Sequence, residues 1–335
     1  MLKYILKRLG VSILVLFGVS LIIYIIVRLM PTDFIENKYA SQLQNGSMDP
    51  EDIINMKEPL GLNDNSFLGI LKGYWKWFTA AIQGDFGRSW KYELPVSEVI
   101  SNNMWISFSI AVIATILQFL IAIPLGITSA THQYTARDYI VTIFTMIGIS
   151  LPTYFFGAIL IKVFALDLGW FPTEGLNSSQ IFDTNTFAGW WAKFGDTCHH
   201  LVLPIFCSVI LSIGGLMRYT RTNMLEVLNA DYIRTARAKG LSEKKVIYKH
   251  AFRNTMIPIV TLLAGILPSL FGGMMITEEV FGIPGIGRMA YKALTEGDIP
   301  FIMGYNMFLA VLTVIGTLLS DIMYSVVDPR VKLGK

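Results

Sequence analysis

Six apolar stretches decide what this chain can fold into. A helix that crosses the hydrocarbon core of a bilayer, about 30 Å thick, needs roughly 20 residues at about 1.5 Å rise per residue. The stretches of about that length are residues 9–30, 104–130, 139–165, 201–218, 256–276 and 301–327. They predict an all-α membrane protein with six transmembrane helices. The composition disfavours a soluble enzyme, because 15% of the residues are charged whereas soluble globular proteins average about 25%.

The distribution of basic residues predicts the orientation of these spans. Lys and Arg near the ends of a span are retained on the cytoplasmic face. The ends and loops that share a side with the N-terminus hold 15 Lys and Arg, and the opposite loops hold 9. Since an even number of spans places both termini on one side, we expect a multi-pass protein with both termini in the cytoplasm.

The predicted spans divide the chain into four parts. Residues 1–30 form an interfacial helix and the first span, and residues 31–103 form a long extracellular segment. Residues 104–327 form the main transmembrane domain, which includes the long cytoplasmic loop 219–255. Residues 328–335 form a cytoplasmic tail.

Several familiar catalytic and nucleotide-binding patterns are missing from the sequence. The chain has no GxxxxGK[ST] phosphate loop, no HExxH and no GxSxG, so it offers no usual site for ATP, zinc or a nucleophilic serine. Four His and two Cys leave few metal ligands. We expect no metal, no cofactor and no nucleic-acid partner for this chain, and an energy source supplied by another subunit.

The cytoplasmic loop 219–255 is the most informative segment. It predicts two short helices, because Asp231 favours the start of the first, Gly240 suits the left-handed end of that helix, and Ser242 suits the cap of the second. Four residues of the second helix share one face at helical spacing: Val246, Ile247, His250 and Ala251. A helix–glycine–helix that projects from a bundle has the shape of a docking element. A charged loop held at the lipid surface is the alternative.

Small and polar residues inside the spans suggest where a translocation pathway could run. They are Ser150, Pro152 and Thr153 in the third predicted span and Gly272 and Gly273 in the fifth. Helix–helix packing, which also favours small residues, explains the same positions equally well.

Seven stretches carry a resemblance to a known family. They are residues 59–62, 84–89, 169–172, 234–242, 250–254, 278–287 and 328–330. In these stretches the chain resembles the transmembrane permease subunits of ATP-binding-cassette (ABC) importers, in the dipeptide/oligopeptide/nickel branch. The resemblance covers nearly the whole chain.

The resemblance implies a fold, a function and a set of partners. The fold would be the type I ABC importer permease bundle in a prokaryotic cell membrane. The chain would form half of a translocation pathway for di- and oligopeptides, without an ATPase site of its own. Its partners would be a homologous second permease, two cytosolic subunits that bind ATP and Mg, an extracellular substrate-binding protein and the surrounding membrane lipid.

The resemblance also implies which residues couple the permease to the ATPase. The loop would fit a cleft in the ATPase subunit through Arg234, Thr235, Ala236, Gly240, Leu241, Ser242, Glu243, Lys244, Val246, Ile247 and His250. The wider importer motif is Glu-Ala-Ala-x-x-x-Gly. When that motif is aligned on Gly240, Arg234 and Thr235 replace its Glu and first Ala, and only Ala236 matches.

Other functions stay open at this point. Within the importer family, nickel, oligosaccharides, haem or glutathione are alternatives to peptides, although the lack of a His- or Cys-rich pathway disfavours nickel. A membrane-embedded lipid-modifying enzyme would need catalytic carboxylates, and the dense acidic set is Asp49, Glu51, Asp52 and Glu58. A structural or channel protein that works alone is a third class.

Overall fold

The computed structural model is helical along most of its length. It describes residues 2–29, 39–40, 42–64, 66–179 and 182–327. The predicted tail 328–335 and the family stretch 328–330 therefore lie outside the described residues.

Fourteen helices are labelled here in chain order. They are α1 (Leu2–Leu29), α2 (Pro50–Lys57), α3 (Phe67–Ile82), α4 (Val96–Thr131), α5 (Ala136–Ser150), α6 (Thr153–Leu160), α7 (Phe187–Leu228), α8 (Asp231–Ala238), α9 (Glu243–Lys245), α10 (Phe252–Gly265), α11 (Leu267–Gly272), α12 (Met275–Val280), α13 (Ile286–Glu296) and α14 (Ile299–Val327). A 3₁₀ turn, Glu58–Leu60, follows α2. Wider π-helical turns extend α6 through Ile161–Asp167 and join α9 to α10 through Val246–Ala251.

The described residues contain four helices that are long and apolar enough to cross a membrane. They are Arg8–Arg28, Val96–Thr131, Phe187–Leu228 and Ile299–Leu319. Counting the bent pair α5 and α6 as one span gives five. The prediction of an all-α membrane protein is confirmed, whereas the described helices do not by themselves give six spans.

The third predicted span, 139–165, is not one straight helix. It is divided between α5 and α6, whose axes are bent by 103°. The cause lies at the break, because the residue before a proline is pushed away from the helical conformation. Leu151 is extended, with φ −82° and ψ 127°, and Pro152 begins the next helix from the N-cap position.

The fifth predicted span, 256–276, is also interrupted. It is shared among α10, α11 and the start of α12, and the longest of these, α10, has 14 residues. Pro268 lies in the first turn of α11, a position where the missing N–H of proline costs nothing. Gly273, with φ +76°, then ends α11.

The fourth predicted span, 201–218, is only the centre of a much longer helix. Helix α7 has 42 residues, about 63 Å at 1.5 Å per residue, so it extends past a bilayer core. His199 and His200 lie within this helix.

The long helices pack around α4 and α7. Buried apolar residues of these two helices share clusters with α6 and α10, among them Ile110, Val209, Ile213 and Ile259. A separate cluster joins α1, α3, α13 and α14 with the start of α4. The C-terminal ends of α4 and α7 pack against α8 and the π-helical turn Val246–Ala251.

Candidate functional site

The two helices predicted for residues 219–255 are present, and Gly240 separates them. Helix α8 has Asp231 in its first turn, where a carboxylate favours the positive end of the helix dipole. Gly240 has φ +74°, the left-handed conformation that ends a helix and that glycine adopts without strain. Ser242 occupies the N-cap of α9, and its carbonyl accepts the N–H groups of Lys245 and Val246 at 2.8 and 3.0 Å. Residues 229–254 are called the docking loop below.

The inner side of the docking loop is apolar and packs on the bundle. Its buried residues are Ile233, Ala236, Val246 and Ala251. They form one cluster with Ile127 and Ala130 of α4 and Met224 of α7. Two predicted coupling residues, Ala236 and Val246, therefore hold the loop against the ends of α4 and α7.

The outer side of the docking loop is polar and exposed. The predicted coupling residues on this side are Arg234, Thr235, Gly240, Ser242, Glu243 and Lys244. Leu241, Ile247 and His250 are half-buried at the edge between the two sides. The structure thus divides the predicted coupling residues into an exposed set and a set that anchors the loop.

The exposed side carries more positive than negative charge. Its cations include Arg234, Arg237, Lys239, Lys244 and Lys245. Arg237 bridges the two helices across the glycine, because its Nε donates to Glu243 Oε1 at 2.8 Å. Exposed ion pairs of this kind contribute about 1 kcal/mol or less, so the loop presents a basic surface without a rigid polar framework.

A buried ion pair beside the docking loop had not been predicted. The carboxylate of Asp138, 4% exposed, accepts Nε and Nη2 of Arg221 at 3.2 and 3.0 Å. It also accepts the hydroxyl of Ser129 and the N–H of Tyr134. The pair therefore ties the end of α4 and the start of α5 to α7. The two residues are 83 positions apart, and no local sequence pattern pairs them.

The predicted pathway residues lie at two helix breaks. Ser150, Pro152 and Thr153 form the sharp bend between α5 and α6. Gly272 and Gly273 form the end of α11, where the Tyr305 hydroxyl donates to the Gly272 carbonyl. Both groups therefore set the direction of the backbone at these two helix breaks.

A cavity of about 630 Å³ lies among α4, α7, α10 and α11. Its polar lining consists of Thr115, Gln118, Tyr219 and Ser269. These hydroxyl and amide groups can exchange hydrogen bonds with a polar solute. No local sequence pattern predicts this cavity, because its four polar residues come from three parts of the chain.

A fully buried carboxylate organises the family stretch 278–287. Glu278 accepts the hydroxyl of Ser107 at 2.7 Å, the N–H of Met274 at 3.0 Å and the N–H of Arg288 at 2.9 Å. The Ser107 hydroxyl in turn accepts the N–H of Ile286 at 2.8 Å. Residues 281–285 thus form a loop that is held next to Ser107 of α4 and is followed by α13.

A second buried carboxylate lies at the start of α14. Asp298 accepts the N–H groups of Trp90, Lys91 and Phe301, each at 3.2 Å, and the hydroxyl of Ser89. It thereby joins the segment after residues 84–89 to the last span. Burial, with the nearby Asp298 charge, raises the pKa of Tyr92. Glu278, Asp298 and their donors are called the outer clasp below, after the side of the membrane that the charge distribution predicts for them.

No group of three or more His, Cys, Asp or Glu side chains comes together as a metal site in the part of the chain that the structure describes. Cys198 and Cys207 are free thiols, the first exposed and the second buried.

Comparison with known proteins gives a consistent result. Residues 122–333, more than half of the chain, match the family described as binding-protein-dependent transport system inner membrane component. The chain is 38% identical to the oligopeptide transport system permease protein AppB of Bacillus subtilis (strain 168), over 99% of this chain and 100% of AppB. It is 31% identical to the dipeptide transport system permease protein DppB of Escherichia coli (strain K12), over the full length of both.

A solved structure shares the fold. The chain superposes on the inward-facing MetNI methionine ABC transporter with a TM-score of 0.50 at 14% identity, covering 69% of this chain and 96% of that one. At this identity the likeness concerns the fold alone.

Proposed function

The chain belongs to the family of binding-protein-dependent transport system inner membrane components, and on that premise we propose that it is the permease subunit of an ATP-driven importer of di- and oligopeptides. It is a multi-pass protein of the cell membrane, and it is a permease and not an ATPase. The names of its relatives, an oligopeptide and a dipeptide permease, favour peptides over nickel, oligosaccharides, haem or glutathione.

The proposed topology has six spans and cytoplasmic termini. The bent pair α5 and α6 serves as one span, and the interrupted helices α10 and α11 serve as another. Residues 31–103 begin and end outside, and residues 104–327 form a type I permease domain. The charge asymmetry supports this orientation, because the proposed cytoplasmic side carries most of the basic residues.

The observation that carries the proposed coupling is the two-sided docking loop. Its apolar side, with Ala236 and Val246, is attached to α4 and α7, and its basic side is open to a partner. A cytosolic ATPase subunit that takes up the exposed side would move the ends of α4 and α7 with it. Motion of the loop would in this way switch the bundle between two packings.

The complete importer would contain four further components. A second, homologous permease would supply the other half of the pathway. Two cytosolic subunits would bind ATP and Mg, while this chain binds neither. An extracellular binding protein would deliver the peptide, in keeping with the description of the family.

We assign this chain's share of the pathway to the 630 Å³ cavity. Gln118 contributes an amide there, which donates to the Ser212 carbonyl at 2.9 Å, and Tyr219 and Ser269 contribute hydroxyls. Such groups suit the amides of a peptide backbone. Ser150, Pro152, Thr153, Gly272 and Gly273 would allow the bends that accompany the change of access.

Charge reversal on the docking loop tests the proposal. The double variant Lys239→Glu with Lys244→Glu alters exposed side chains, so the permease should insert and remain folded. It should lose co-purification with the ATPase subunits and lose peptide uptake. Lys193→Glu, an exposed base on the proposed outer side, is the matched control and should keep both. Unchanged co-purification and uptake in the double variant would refute the docking assignment.

A further inference from the structure

Helix α3 presents an uncovered apolar stripe. Its exposed large apolar residues share one side of the helix: Phe67, Leu68, Leu71, Trp75 and Ile82. Phe67 is 80% exposed and Ile82 69% exposed. A helix with such a stripe in a membrane protein has the pattern of a helix that contacts lipid.

The side of α3 next to this stripe packs along the middle of α1. Ser20 and Tyr74 share a hydrogen bond of 2.8 Å, and the rings of Phe17 and Phe78 meet edge to face at 5.5 Å. Phe17 and Ser20 lie near the centre of Arg8–Arg28, one of the candidate spans. Helix α3 therefore lies at the depth of the membrane, although it belongs to the segment 31–103 that was expected to be extracellular.

The polar groups of α3 point away from the stripe. The ammonium of Lys76 donates to the carbonyl of Glu58 at 3.3 Å, and Lys72 lies close enough to Asp64 to influence its charge. The hydroxyl of Thr79 donates to the Trp75 carbonyl of its own helix at 2.8 Å. Both lysines thus face the polar segment that precedes α3, so the apolar side is free to meet hydrocarbon.

A large apolar cavity opens beside the same helix. It has a volume of about 1050 Å³ and lies among α1, α3, α4 and α14. Its walls include Leu14, Phe17, Phe78, Ile82, Met104 and Phe308. Among its described lining residues none is charged, and its polar groups are the hydroxyls of Ser97 and Ser101.

We propose that this cavity binds an acyl chain of a membrane lipid and that α3 inserts into the bilayer beside α1. Three observations favour hydrocarbon as the occupant: the uncharged lining, the position beside a membrane span, and the continuity of the cavity with the exposed stripe through Ile82. The bound lipid would fill the gap between α1 and the rest of the bundle. The inference depends on the protein being embedded in a membrane and is independent of what it transports.

The first test uses a matched pair of serines on α4. Ser101 lines the cavity, whereas Ser109 lies two turns further along the same helix outside its lining; both are exposed and donate to their own helix backbone. The permease complex would be reconstituted in nanodiscs that contain phosphatidylethanolamine with a photoreactive acyl chain. Cross-links are expected on α3 and on residues 97–104. Ser101→Trp should abolish the cross-links on residues 97–104, and Ser109→Trp should preserve them.

A second test does not depend on filling the cavity. In a Cys198→Ser background, Ile82→Cys should resist a water-soluble maleimide, whereas Asn63→Cys, an exposed residue before α3, should react. Rapid labelling of Ile82→Cys would overturn the proposal. Protection of Ile82→Cys without any lipid cross-link, or with a cross-link to a second permease chain, would overturn it as well, because the occupant would then be protein.

Discussion

The docking loop and the outer clasp are built by opposite means. The docking loop is held by apolar side chains, with exposed ion pairs on its outer side. The outer clasp is held by two fully buried carboxylates that receive hydrogen bonds from several segments. Apolar contact is non-directional and tolerates sliding, whereas a buried carboxylate requires each of its donors in place. We therefore expect the docking loop to be a movable attachment at one end of the bundle and the outer clasp to be a fixed attachment at the other end.

The largest effect is expected from Glu278→Ala in the outer clasp. The change leaves the Ser107 hydroxyl and the N–H groups of Met274 and Arg288 without their acceptor. At about 1 kcal/mol or more for each buried donor, the free energy of unfolding should fall by about 3 kcal/mol or more. Thermal unfolding of the purified permease measures the loss. Glu279→Ala, which removes a partly exposed pair with Arg288, is the control and should cost about 1 kcal/mol or less.

If the two variants had equal melting temperatures, the outer clasp would not be the fixed end of the bundle, and the contrast with the docking loop would fail.

An intermediate effect is expected from Arg221→Ala. Arg221 lies between the bundle and the docking loop. The variant leaves the buried carboxylate of Asp138 without its bidentate partner, at a cost of about 2 kcal/mol because Arg221 is partly exposed. Hydrogen exchange should accelerate in α8 and at the start of α5, while the outer clasp keeps its protection. Arg218→Ala, an exposed arginine one turn away, should leave exchange unchanged. Exchange that rises equally in the outer clasp would show that the two ends are not independent.

The smallest effect is expected from Arg237→Gln on the surface of the docking loop. It breaks the exposed pair with Glu243, which contributes about 1 kcal/mol or less and less still at high salt. The melting temperature should stay close to that of the natural sequence. A large loss of stability would mean that polar contacts, and not the apolar side, hold the loop in place.

The sequence predicts the docking loop better than the outer clasp for a physical reason. Gly240 and Ser242 act through their immediate neighbours, so a local pattern is enough to place two helices and the break between them. Glu278 and Asp298 act through Ser107 and Ser89, which lie 171 and 209 positions away. No periodicity or spacing reports contacts over such distances.

The apolar pattern predicts a membrane protein, but it does not determine whether each span is straight, bent or interrupted. Hydropathy measures length along the chain, so it places 139–165 as one span and does not give the 103° bend at Pro152. Helix α3 lies in the segment 31–103, which was predicted to be extracellular, and its 16 residues fall short of a span of about 20. Its position became visible only through its contacts with α1.

Site-specific photo-cross-linking tests the central claim, the two-sidedness of the docking loop, most directly. A photoreactive amino acid would be placed at Thr235 or Ser242 on the exposed side and, for comparison, at the buried Val246. Positions 235 and 242 should give adducts with the ATPase subunit of the assembled importer, and position 246 should give adducts within this chain, on α4 or α7. Absence of ATPase adducts from 235 and 242 in a complex that still hydrolyses ATP would contradict the account.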